Sequence, residues 1–192
     1  MKKALAVVLA MLLIGVCTGG ALAQVPFIQV YFDADYNDTQ SPCLPPGTSS
    51  SLYVAALNFN DLISAVDYKV QFPLALMYIG EDVREDPDGD INDIAIGDSQ
   101  SGIAIAYDLP RNGFQTMLLS RVFVDWTSDC DCAQGPQALR VVGYDDVYSP
   151  TPKAVRWPSG EQFDVVGMLS LICPGPTSTE ATTWGGVKAL YR

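Results

Sequence analysis

The sequence predicts an all-β protein, an antiparallel β-sandwich of about eight or nine strands, because alternating apolar runs recur along the chain between regular turn clusters. The clearest run is 65–72, where Val66, Tyr68, Val70 and Phe72 fall on one side and Ala65, Asp67, Lys69 and Gln71 on the other. That alternation is the mark of a strand with one buried face. No segment of helical period separates the runs, which argues against alternating strands and helices.

Taken in order, the expected strands are 27–32, 52–59, 65–72, 74–79, 102–107, 116–126, 138–142 and 163–172. Turn residues stand between them: Pro45-Pro46-Gly47, Asn58 to Asp61, Asp86 to Asp90, Pro110 to Gly113, Gly135-Pro136 and Pro158-Ser159-Gly160. Before the first strand, Lys2 and Lys3 precede an apolar stretch from Ala4 to Val16, and Ala21-Leu22-Ala23 offers a small-residue cleavage site. Residues 1–23 therefore read as a secretory signal peptide, too short for a membrane span. Cys17 follows Val16, where a lipidation site wants a small residue, so no lipid anchor is expected. The sandwich is assigned to 24–173. Beyond it, 174–192 reads as a Pro/Thr/Ser linker and a short amphipathic helical tail with Trp184, Val187, Leu190 and Tyr191 on one face.

Charge narrows the partners. The 192-residue chain carries 11 basic and 22 acidic residues. Loss of Lys2 and Lys3 with the leader leaves 9 basic against 22 acidic, a net charge of −13. A field of that sign disfavours nucleic acid and anionic membranes, and no basic cluster overrides it. The chain has no histidine, which removes imidazole as base, nucleophile activator and metal ligand. Gly97-Asp98-Ser99 has the outline of an esterase nucleophile block, but a serine without a base is a poor nucleophile, and a turn is expected there. A carboxylate-dependent glycosidase remains the least favoured reading, since 22 acidic residues supply pairs by chance.

Four cysteines follow the leader: Cys43, Cys130, Cys132 and Cys173. In an exported chain they read as two disulfides rather than a zinc site. A Cys130–Cys132 bond would close a small strained ring, so each is expected to join Cys43 or Cys173, with the choice open.

From Val25 to Cys173 the order of features resembles the cohesin-like family of jelly-roll sandwiches, which includes carbohydrate-binding modules. The likeness rests on Leu52-Tyr53-Val54-Ala55-Ala56-Leu57-Asn58-Phe59-Asn60, on the alternation from Ile63 to Phe72, on the hydrophobic stretch ending near Gly80, on Gly102-Ile103-Ala104-Ile105-Ala106-Tyr107, and on the strand ending at Trp126. The resemblance implies a non-enzymatic binding module; no residue of either binding face of that family carries over by motif. The tail ending Trp-Gly-Gly-Val-Lys-Ala-Leu-Tyr-Arg is similar to endings of exported bacterial proteins.

Three constellations remain as binding candidates. Asp86, Asp88, Asp90 and Asp93 could supply oxygens to calcium, although Ile91 and Gly97 stand where an EF-hand loop has its glycine and glutamate; the competing reading is a solvated acidic loop. Tyr144, Tyr148 and Trp157 could stack on a sugar, against the alternative that Trp157 covers a sheet. Trp184, Val187, Leu190 and Tyr191 could be a sorting or docking tag, or a tail folded back on the sandwich. Asn37-Asp38-Thr39 matches a glycosylation sequon, of little weight beside a bacterial-looking leader. The chain is thus expected to be a secreted recognition or adhesion module for an extracellular glycan or protein, with calcium as a candidate support. The alternative is a structural or surface-displayed subunit assembled through Trp184 to Arg192.

Overall fold

Thirteen strand segments follow one another in the computed structural model, which describes residues 25–83, 93–145 and 147–173. They are β1 (Phe27–Tyr31), β2 (Gln40–Ser41), β3 (Ser49–Leu57), β4 (Leu62–Gln71), β5 (Leu76–Asp82), β6 (Ile94–Asp98), β7 (Gly102–Asn112), β8 (Met117–Trp126), β9 (Gln137–Val142), β10 (Lys153–Arg156), β11 (Gln162–Asp164), β12 (Val166–Gly167) and β13 (Leu169–Ile172), with one 3-10 turn at Cys132–Gln134. The leader 1–23 and the segment 174–192 with Trp184, Val187, Leu190 and Tyr191 lie outside the described residues.

Two sheets result. One has the order β12-β1-β3-β8-β5. In the other, the path β11-β10-β4-β9-β13-β2 is extended by β7 on the free edge of β4 and by β6 beyond it. Pairing is antiparallel except for β1 with β12 and β13 with β2. The long strand β4 explains this layout: its second half pairs with β9, from Lys69↔Val142 to Gln71↔Arg140, and its first half with β10, from Lys153↔Asp67 to Arg156↔Ile63.

The core lies between the sheets. Ile28, Val30, Leu52, Val54, Val122, Val124 and Trp126 project from one sheet and Val66, Tyr68, Val70, Ile103, Ile105, Leu139 and Ile172 from the other, all buried. The alternation of 65–72 is realised as expected, and a bulge between Ile63 and Ala65 turns Ile63 inward as well, three positions from Val66. Pro110 falls in the same irregularity: Ile63 pairs with Arg111 but Ala65 with Ala106, so the residues between need no ladder partner. What reads from sequence as a turn at 110–113 is therefore strand as far as Asn112.

The expected strand 163–172 is cut into three because the chain changes sheet within it. β11 pairs with β10, β12 crosses to β1, and β13 returns to β9. Gly167 permits the crossing, since a Cβ there would run into the carbonyl of Val141. Two disulfides close one end of the sandwich, Cys43–Cys130 with Cα atoms 5.8 Å apart and Cys132–Cys173 at 5.2 Å. Cys130 and Cys132 each join a distant partner, as the ring-strain argument requires.

Candidate functional site

Strand register places two rungs of side chains across the outer face of the second sheet. Ile94 lies opposite Ala106, Ala106 opposite Ala65, Ala65 opposite Val155 and Val155 opposite Gln162. The neighbouring rung runs Ile96, Ala104, Asp67, Lys153 and Asp164. Directly opposed residues share a face, and Ile103 and Ile105 between them point into the core, so both rungs face outward. Ala65, Ala104 and Ala106 make a low floor. Ile94 and Ile96, 62% and 64% exposed, form one wall and Lys153 and Val155 the other. These side chains line a groove of about 160 Å³.

The walls stand three strand spacings apart, about 14 Å, room for an α-helix about 10–12 Å across. The floor carries one charge. Asp67 accepts the N–H of Lys153 at 3.1 Å. Burial holds its carboxyl above the usual carboxylate range, while Lys153 and the Tyr144 N–H pull it back. An acid poised in this way at the centre of an apolar groove can receive one hydrogen bond from an incoming chain.

Of the aromatic candidates, Tyr144 and Trp157 are anchored at separate positions along β4. Tyr144 lies beside Asp67 near the middle of β4. Trp157 donates its backbone N–H to the Leu62 carbonyl at 2.8 Å, where β4 begins. Those two positions are five residues apart, about 17 Å along a strand. Trp157 is 51% exposed and Tyr148 88%. Aromatic contacts that the sequence did not suggest occur on the opposite sheet, where Tyr36 packs edge-on between Tyr31 and Tyr53, and Arg121 lies over Tyr53 and Phe123.

Of the candidate calcium ligands, Asp86, Asp88 and Asp90 lie outside the described residues. Asp93 is engaged by the protein, its Oδ2 accepting from Arg111 at 2.7 Å and its Oδ1 from the Asp108 N–H at 3.1 Å. Nearby, Glu81 accepts the Ser99 N–H at 2.9 Å and the Ser99 hydroxyl. Ser99 is thus a buried support at the turn after β6, and it contacts Ser120, which accepts from Tyr68 at 2.8 Å. This polar cluster ties β4, β5, β8 and the β6–β7 turn together.

Burial raises the Glu81 carboxyl above its ordinary range, against the lowering effect of the Ser99 bonds. The folded state then holds this proton to higher pH than the unfolded chain does. Its contribution to stability is greatest below the unfolded pKa, about 4.3, and falls as pH rises through the folded pKa. Glu81→Gln removes that titration, so the melting temperature of the native protein relative to the variant is expected to decline as the pH rises from about 4 through the raised folded-state pKa. Parallel melting curves against pH would contradict the assignment.

No family model matches the chain, and no curated protein matches it in sequence. The architecture is that of a cohesin-like jelly-roll β-sandwich. It is similar to a cohesin module of a family 33 glycoside hydrolase from Clostridium perfringens at a TM-score of 0.51 and 8% identity, over 77% of this chain and 95% of that one. It is also similar to the third ScaB cohesin of R. flavefaciens, whose structure is in complex with a group 1 dockerin, at a TM-score of 0.51 and 13% identity, over 78% of this chain and 96% of that one.

Proposed function

We propose that this chain is a secreted, non-enzymatic recognition module that receives a helical segment of a protein partner in the groove formed by β6, β7, β4 and β10. The observation that carries this reading is the pair of isoleucines Ile94 and Ile96, held in water opposite an alanine floor. Exposed apolar side chains aligned across four strands cost solubility unless a partner covers them. The fold supports the reading, since one structure of the same architecture contains a bound dockerin. The leader-like residues 1–23 and the acidic, two-disulfide domain support a site of action outside the cell. A glycan is less favoured, because Tyr144 and Trp157 stand too far apart for one stacking platform.

Covering two isoleucines is worth about 3 kcal/mol or more, at least a hundredfold in Kd. Screening the protein against secreted proteins and a glycan array is expected to find a protein ligand whose Kd weakens by that factor in Ile94→Asp/Ile96→Asp. The variant's melting temperature is expected to stay close to that of the native protein, because β6 is an exposed edge. A glycan ligand, or a protein ligand indifferent to the two substitutions, overturns the proposal.

A further inference from the structure

The two disulfides touch. Cys43 Sγ and Cys173 Sγ belong to different bonds, yet they lie 3.1 Å apart. With Cys132 Sγ they form a cluster whose sulfur atoms all fall within 4.8 Å of one another. The four cysteines differ in access and support. Cys132 is exposed on the 3-10 turn, whereas Cys173 is buried. Backbone pairing brings the Cys43 and Cys173 segments together independently of any sulfur bond: Ile172 pairs with Ser41, and the Cys173 N–H donates to the Ser41 carbonyl at 2.8 Å.

We propose that the four cysteines form one thiol–disulfide exchange centre, in which a single two-electron reduction by an extracellular dithiol leaves a Cys43–Cys173 bond and frees Cys130 and Cys132 as a C-x-C dithiol with Cys132 exposed. One thiolate of the reductant attacks Cys132 Sγ, breaking the Cys132–Cys173 bond and releasing the Cys173 thiolate. That thiolate attacks the adjacent Cys43 Sγ, forming Cys43–Cys173 and expelling Cys130, which takes up a proton. The second thiol of the reductant attacks the mixed disulfide, closing the oxidised reductant and releasing Cys132 as a thiol. Two electrons and two protons pass from the dithiol to the protein.

Strand pairing favours the product because it holds Cys43 and Cys173 in position before they bond, giving the internal attack a high effective concentration. Cys130 and Cys132 have no comparable route back to each other, since their ring would be strained. The freed pair can then return its electrons to a disulfide partner through exposed Cys132, so the domain acts as a two-electron carrier whose ends remain stapled in both states.

Partial reduction with one equivalent of dithiothreitol at pH 8, an acid quench, alkylation and tryptic mapping tests this inference. Cleavage after Lys69, Arg121, Arg140, Arg156 and Lys188 places Cys130 and Cys132 together on 122–140, Cys43 on the peptide ending at Lys69, and Cys173 on 157–188. The two-electron species is expected to carry both alkyl groups on 122–140, with the other two peptides disulfide-linked. A single label on 122–140, or passage from fully oxidised to fully reduced protein without this species, overturns the proposal. The Cys130→Ser/Cys132→Ser variant provides a second test, because it is expected to oxidise to Cys43–Cys173 in the folded protein. Two free thiols in that variant after oxidation also overturn it.

Discussion

Full reduction of both disulfides is expected to remove most of the stability of the domain. Cys43–Cys130 spans a sequence separation of 87 and Cys132–Cys173 one of 41, and the two loops do not overlap. Each bond therefore constrains a different part of the unfolded chain. The chain-entropy relation assigns about 4.6 kcal/mol to the longer loop and about 3.9 kcal/mol to the shorter. Typical native disulfides deliver about 2–5 kcal/mol each, so losing both is expected to cost roughly 4–10 kcal/mol against a total stability of about 5–15 kcal/mol for an ordinary domain. The bonds sit where that loss matters. Both leave the short connection between β8 and β9, one for the loop after β2 and the other for the end of β13. Urea unfolding with and without excess reductant checks the expectation, since the reduced protein is expected to unfold at a much lower urea concentration. Coincident curves would mean that strand pairing alone holds this end closed.

The sequence makes the sandwich legible because its main strands alternate strictly. Val66, Tyr68 and Val70 announce β4, and the inward row of Val122, Val124 and Trp126 announces β8. Where the chain departs from simple alternation, the reading blurs. β6 is short and exposed, its Ile-Ala-Ile closed by Gly97 and Asp98, and its apolar residues face water instead of the core. β10 is four residues in a stretch rich in turn formers, and β12 changes sheet within two residues. The groove is harder still to see in one dimension. Ala65, Ala104, Ala106 and Val155 come from three strands and are unremarkable one by one. Only the register, including the bulge between Ile63 and Ala65, places Ala65, Ala106 and Val155 in one row with Ile94 and Ala104 in the next row with Ile96. The aromatic candidates show the reverse problem: Tyr144 and Trp157 lie close in sequence, yet β10 carries Trp157 away along β4.

Replacing Trp126 by alanine is expected to cost about 3–5 kcal/mol, the range for truncating a large buried aromatic. Trp126 is 2% exposed, and its side chain closes the core at the end of β8 opposite Leu76 of β5. Its indole Nε1–H donates to the Ser50 hydroxyl at 3.0 Å across the β3–β8 ladder, so alanine leaves both a cavity and a hydroxyl without its donor. Since the surrounding strands are held by their own ladders, the space can collapse only in part. At roughly 2–4 °C per kcal/mol for a chain of this size, the melting temperature is expected to fall by about 6–20 °C. Trp126→Phe separates the two contributions: it keeps most of the ring volume and loses the hydrogen bond, so a smaller drop is expected, with about 1 kcal/mol from the bond itself. The groove substitutions provide the opposite pattern. Trp126→Ala lowers stability without touching the outer face of β6 and β7, and partner affinity per folded molecule is expected to stay intact, whereas Ile94→Asp/Ile96→Asp spares stability and removes affinity. Thermal melts and binding isotherms on the same three variants test both halves. Equal loss of affinity in Trp126→Ala, measured where it is still folded, would place the recognition surface on the core's integrity and not on the groove.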